Sequence, residues 1–140
     1  MILLLTLDMV KTVLCIGMLA YASTKDYRSR EVSNWLWLIF WPTGIALNVT
    51  EAFLFKDIVY LSVYASSFLI IFILALALFY FGFWGGADAK AFITLSLVLP
   101  QTPSFTKPYL QFPVVFPLSV FLNTVLILSL IHISEPTRPY

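Results

Sequence analysis

Eleven consecutive residues from Leu69 to Phe79 carry no polar side chain, inside a largely apolar segment running from Ile58 to Phe83. A run of that length exceeds what one face of a soluble helix needs. The whole segment from Ile58 to Phe83 matches instead a bilayer's hydrocarbon core, about 30 Å thick and crossed by about 20 helical residues. The rest of the chain agrees. Of its 140 residues 61% are hydrophobic and only 11% charged, against about 25% charged in an ordinary soluble domain. A soluble core of this size could not bury so much apolar surface, so the solvent is lipid. A backbone in lipid must satisfy its own hydrogen bonds. The expected fold is therefore all-α, a polytopic bundle of membrane helices forming one transmembrane domain over residues 1–131.

Five apolar segments are visible: Ile2–Ala22, Asn34 to about Val49, Ile58–Phe83, Ala89–Leu99 and Leu118–Ile131. The first carries an Ala20-x-Ala22 pattern but no basic leader, and Asp8 and Lys11 lie within it. It reads as a retained span rather than a signal peptide. Asp8 and Lys11 share a helix face and are expected to pair. Trp35, Trp37 and Trp41 suit an interfacial aromatic belt, while Pro42 and Gly44 predict a kink. Asn48-Val49-Thr50 matches a glycosylation sequon, a pattern frequent by chance. The fourth segment is the misfit. From Asp88 to Leu99 a helix rises only about 18 Å, which puts irregular backbone at membrane depth. That is tolerated only where the backbone is buried in protein or lines a wet cavity.

Charge narrows the function classes. The net charge of +1 and the absence of long basic runs give no nucleic-acid signal. One cysteine, Cys15, excludes a disulfide framework and a multi-cysteine zinc site; it reads as a small hydrophobe. With a single histidine, His132, no metal site and no cofactor are expected. Loop one (Ser23–Ser33) holds Lys25, Arg28 and Arg30, and Lys90 follows the third segment. The opposite face holds Lys56, balanced by Glu51 and Asp57, with Lys107, and Lys11 stands toward the N-terminus. The positive-inside rule then places the N-terminus outside and loop one in the cytoplasm.

Asp26 and Asp88 come out on that same cytoplasmic side, each where an apolar segment meets a charged one. Acidic groups at membrane depth are functional candidates by default. Two close carboxylates share a proton, so one can activate water while the other protonates a leaving group, which is what metal-free peptide hydrolysis requires. Arg28, Arg30 and Lys90 stand nearby, to tune the pair's ionisation or to fix topology. Gly82, Gly85 and Gly86 allow a tight backbone around Asp88. The alternative is a non-enzymatic membrane protein, a scaffold or an ion or proton path, with Ser66, Ser67 and Thr94 continuing a polar route. The unbroken apolar run of the third segment argues for the peptidase.

Gly85-Gly86-Ala87-Asp88 resembles the GxGD signature of intramembrane aspartyl proteases, with Ala87 in place of the usual third glycine. Asp26-Tyr27-Arg28-Ser29-Arg30-Glu31-Val32-Ser33-Asn34-Trp35 is similar to the first aspartate box of the type IV prepilin peptidases. Both boxes, with Phe116-Pro117-Leu118-Ser119-Val120-Phe121-Leu122-Asn123, resemble most the archaeal branch, which processes archaellins and pilins. The likeness runs from about Thr12 to Asn123. It implies cleavage of the basic leader of class III signal peptides at the cytoplasmic face. Asp26 and Asp88 would be the catalytic pair, with Gly85, Gly86 and Ala87 shaping the site. Pilin or archaellin precursors and membrane lipid would be the partners. Bacterial members often also N-methylate the product and carry a four-cysteine zinc domain; neither is expected here. Members usually have six segments. The polar, proline-bearing string 132–140 resembles translated adapter sequence, so a lost last helix is expected, and no function for His132, Glu135 or Arg138.

Overall fold

The computed structural model describes residues 2–55, 58–106 and 116–134. Among these it contains five helices and no strand: α1 (Ile2–Ser29), α2 (Asn34–Phe55), α3 (Ile58–Tyr80), α4 (Gly86–Val98) and α5 (Phe116–Ser134). α1, α2 and α3 are long and apolar enough to cross a membrane, so the chain is a multi-pass membrane helix bundle. Lys56, Asp57, Lys107, Glu135 and Arg138 lie outside the described residues, as does the side chain of His132.

Each long helix buries one narrow stripe. α1 buries Lys11, Cys15, Met18 and Ala22; α2 buries Trp37, Gly44, Asn48 and Glu51; α3 buries Tyr64, Ser67, Ile71 and Ala75. Within each stripe the spacings are three, four or seven, so successive residues stack on one helix face. The opposite faces expose Val13, Ile16, Leu38, Ile39, Leu69 and Ile73, as a lipid contact requires. α4 differs. Beyond Ile93 it is buried all round, from Thr94 to Val98, and it touches α1, α2, α3 and α5. The shortest helix is the core.

Small residues permit that packing, as in membrane bundles generally. A methyl on Gly44 would stand 2.8 Å from the Leu97 carbonyl oxygen and 2.9 Å from Val98 Cγ2, so α2 and α4 meet there backbone to backbone. Gly44, expected as a kink element, is thus a close-approach residue. Pro42 lies inside α2, which continues past it.

α4 ends at Val98, and Leu99 and Pro100 remain buried behind it. Its last carbonyls would be orphaned in an apolar medium. Asn48, fully buried on α2, supplies the donors: its amide gives hydrogen bonds to Leu97 O at 2.8 Å and Val98 O at 3.2 Å. The Ser67 hydroxyl donates to Pro100 O at 3.3 Å. Lys11 Nζ and the Tyr60 hydroxyl in turn donate to the Asn48 side-chain oxygen, and Lys11 forms a buried ion pair with Glu51.

Several expectations change here. Lys11 pairs with Glu51, not with Asp8, whose carboxylate accepts the Ser104 N–H at 2.8 Å. Glu51 is not a loop acid balancing Lys56; α2 runs on to Phe55 and turns Glu51 inward, 4% exposed. Asn48 is no surface sequon. Trp35 is exposed as a belt residue should be, but Trp37 is buried at 3%. Loop one is shorter than Ser23–Ser33. α1 continues to Ser29 and stops where Arg30 turns left-handed, φ 52°, its N–H bonding Asp26 O. The Ser33 oxygen then accepts the Trp35 N–H at 3.4 Å, N-cap chemistry that opens α2.

Removing one partner of a buried ion pair strands the other charge, at a cost of about 3–5 kcal/mol, whereas replacing both is often neutral. Lys11→Met and Glu51→Leu are each expected to lower stability by that order, and the double variant to recover most of it. Thermal unfolding in detergent micelles checks this; additive losses would count against a mutually dependent pair.

Candidate active site

Two short helical stretches, one on α1 and one on α4, bring the site together. On α1, Leu19, Ala22, Ser23 and Asp26 follow at spacings of three, one and three, which puts them on one face; on α4, Ala87, Asp88 and Ala91 do the same. These residues, with Val32 and Trp37, line one cavity of about 210 Å³. The structure therefore brings Asp26 and Asp88, distant in sequence, to a common cavity between adjacent helices. Both are exposed, and neither carboxylate has a hydrogen-bond or ion-pair partner among the described residues.

The backbone on the α4 side is built for access. α3 ends in a Schellman motif: Gly82 N–H bonds Phe79 O at 3.1 Å, and Phe83 N–H bonds Leu78 O at 3.0 Å. Gly82 sits at φ +75°, a left-handed conformation that a glycine adopts without strain. Gly85 is the N-cap of α4, with ordinary extended angles (φ −71°, ψ 156°). Its requirement is space, since a methyl there would lie 3.2 Å from Asp88 Oδ2. Gly86 has looser surroundings; its added methyl would be in ordinary contact with the Phe79 ring at 3.5 Å. Asp88 is in the first turn of α4, where the helix dipole favours a carboxylate. Asp26 is near the C-terminal end of α1, where the dipole opposes one. Helix stability therefore offers no reason for Asp26.

The basic residues do not close on the cavity. Lys90 Nζ donates to the Asn34 side chain at 2.8 Å, tying α4 to the start of α2. Arg28 and Arg30 are exposed and do not line the cavity; Lys25 stands over the Tyr21 ring at 5.8 Å. A larger cavity, about 380 Å³, lies at the far end of α4 against Asp8, Lys11, Glu51 and Tyr60. Its charged groups are already spent on one another and on Ser104. The hydroxyls that a polar path would need are turned to backbone carbonyls: Ser66 to Val63 O, Ser67 to Pro100 O, Thr94 to Lys90 O. Among the described residues no three of His, Cys, Asp and Glu gather to hold a metal ion.

Two features escape a reading of the sequence. Trp41 Nε1 donates to the Thr94 hydroxyl at 2.8 Å, crossing from α2 to α4. Trp37 Nε1, one turn earlier, is buried and has no acceptor among the described residues. Leaving such a donor unmade costs about 1–3 kcal/mol. A tryptophan signals only an aromatic with a polar tip, and which indoles turn inward is decided by neighbouring helices.

Residues 13–132 match the model of the type IV leader peptidase family. The chain belongs to this family. It is 32% identical over 113 residues to a preflagellin peptidase of Methanococcus maripaludis, a match covering 76% of this chain and 49% of that protein. To a preflagellin peptidase of Methanococcus voltae it is 30% identical over 124 residues, covering 82% of this chain and 52% of that protein. The chain thus spans about half the length of these curated relatives. Both agree with the likeness to the archaeal branch of the type IV leader peptidases, carried by the two aspartate boxes. No solved structure matches it.

Gly82 and Gly85 are separable by experiment. Gly82→Ala is expected to cost about 1–2 kcal/mol of stability, the penalty of a left-handed non-glycine residue. Gly85→Ala has no such backbone penalty, and its unfolding midpoint in micelles should stay near that of the unsubstituted chain. Equal losses at both positions would show that conformation, not room beside Asp88, governs Gly85.

Proposed function

We propose that this protein is an aspartyl leader peptidase. Asp26 and Asp88 would act as an acid–base pair on precursors of the archaellin and type IV pilin class. One observation carries the reading: in a chain of the leader peptidase family, two carboxylates on different helices, neither engaged by another described residue, line one cavity. The ionised partner accepts a proton from water as the water oxygen bonds to the scissile carbonyl carbon. The protonated partner gives its proton to the leaving nitrogen as the carbon–nitrogen bond breaks. The relatives' names, preflagellin peptidase, support the substrate class.

In this reading the dyad faces the cytoplasm and the N-terminus lies outside. The cations Lys25, Arg28, Arg30 and Lys90 cluster at the dyad end, as the positive-inside rule requires of a cytoplasmic face. The cut falls where a basic leader meets the hydrophobic stem of the precursor. With Lys25, Arg28, Arg30 and Lys90 all absent from the cavity lining, discrimination rests on docking of the apolar stem against the bundle, and leader charge serves register.

Co-expression with an archaellin-type precursor, followed by its size, tests the proposal. Asp88→Asn keeps shape but removes the titrating proton, and Asn and Asp cap helices about equally well. Each of Asp26→Asn and Asp88→Asn is expected to reduce processing at least about 1000-fold, the double variant no further than either one, with membrane insertion unchanged. Substantial processing by Asp88→Asn would return Asp88 to a helix-end role. Neutralising the leader's lysines should slow cleavage modestly, and a polar residue in the stem strongly; the reverse order would sink the docking account.

A further inference from the structure

We propose that the hydrogen bond between Lys90 and Asn34 is a positioning link for the dyad: it sets Asp26 against Asp88 by fastening the connection 30–33 to α4. The inference rests on the peptidase reading and adds two positioning residues to it. Lys90 Nζ donates to Asn34 Oδ1 at 2.8 Å. Lys90 lies on α4 just beyond Asp88, and Asn34 is the first residue of α2. The two residues from Asp88 to Lys90 turn a helix by about 200°. Lys90 therefore leaves α4 on a different side from Asp88, and it does not line the cavity. It can tie the helix down without covering the carboxylates.

The tie reaches Asp26 through a short stretch of chain. Only residues 30–33 separate the end of α1 from the start of α2. At one end the Arg30 N–H bonds the backbone carbonyl of Asp26 itself at 2.8 Å. At the other end Ser33 holds the first turn of α2, its Oγ accepting the Trp35 N–H at 3.4 Å and its carbonyl the Leu36 N–H at 3.2 Å. Between them Val32 lines the same cavity as both aspartates. A bond from α4 to Asn34 thus holds the wall that Val32 makes and, through Arg30, the last turns of α1 that carry Asp26.

Helix packing alone gives the dyad less support than this. α4 packs far more extensively on α2 and α3 than on α1, so Asp26 belongs to the helix that α4 holds least. The next side-chain bond between α2 and α4, from Trp41 to Thr94, lies one turn deeper along α4. Among the described residues, Lys90 to Asn34 is the side-chain bond that joins those helices at the dyad end. An acid–base pair needs both carboxyls within reach of one water and one peptide, and a misplacement of about 1 Å can cost about 100-fold in rate. The bond is exposed, so its loss should barely change stability. That separates positioning from folding.

The test uses the chain in micelles with a purified archaellin-type precursor as substrate. Asn34→Ala and Lys90→Met are each expected to lower kcat about 10- to 100-fold, with KM within about 3-fold and the unfolding midpoint unchanged. The double variant should be no worse than either single one, because both remove the same bond. Asn34→Asp keeps an acceptor within reach of Lys90 and should restore most of kcat. An unchanged kcat for Asn34→Ala overturns the proposal. So does a loss confined to Lys90→Met, which would make the ammonium itself, and not its bond to Asn34, the active element. A readout free of turnover places nitroxide labels through Tyr27→Cys, beside Asp26, and Phe83→Cys, just ahead of α4, both at highly exposed positions. The distance distribution from pulsed electron paramagnetic resonance should broaden or shift in Asn34→Ala and recover in Asn34→Asp; an identical distribution refutes the link. Processing that survives Asp88→Asn would remove the peptidase reading itself, an outcome separate from an unmoved distance.

Discussion

A helix of 13 residues rises about 20 Å, short of the hydrocarbon core, and the rest of this molecule is arranged around that shortfall. α4 cannot present its last carbonyls to water, and lipid offers no donors. Asn48 answers from α2 and Ser67 from α3, and both are fully buried. Asn48 is itself held by Lys11 and Tyr60, and Lys11 by Glu51. The charge pair thus sits behind the donor that closes the helix. A buried pair is weak evidence for stability when taken alone; here it orients the group that terminates α4.

The two ends of α4 are chemically opposite. At the C-terminal end the charged groups lining the cavity, Asp8, Lys11 and Glu51, all have partners, so the polarity there is already consumed. At the N-terminal end two carboxylates and one indole N–H have none among the described residues. The indole N–H is buried, so leaving it unpaired is costly; the two carboxylates are exposed and open to whatever enters the cavity. Because α4 is gripped by four helices, Asp88 is mounted on the most constrained element. Asp26 rides on the last turns of α1, beside the short connection 30–33. Adjustment between the two is therefore easier on the Asp26 side.

The membrane class, the helical segments and both aspartates were legible from residues alone, because a lipid-spanning run and an acid at its end are signals that no neighbour can disguise. The misfit of the fourth segment was legible too, and with it the demand that its irregular end be buried in protein. Three things were not. Glu51 looked like a loop acid because the second apolar segment reads as ending near Val49, yet α2 runs on to Phe55 and helix phase puts Glu51 on the stripe of Asn48 and Trp37. Lys11 looked like the partner of Asp8 because local spacing allowed it, and a cation on another helix's stripe was the better match. Trp37 looked like an interface anchor among its neighbours Trp35 and Trp41.

What the sequence determined by itself was therefore one-dimensional: which stretches must be helix, which must meet lipid, and which acids stand where apolar chain gives way to charge. Those follow from the transfer cost of each side chain and of an unbonded backbone, properties of a segment alone. Only the tertiary structure decided which polar groups meet, that Asp26 and Asp88 share a cavity, that Asn48 closes α4 and that the Trp37 indole turns inward, without an acceptor among the described residues. Pairing depends on the rotation of each helix about its axis, and that rotation is set by close contact with other helices, such as the meeting of Gly44 with Leu97, which no segment contains.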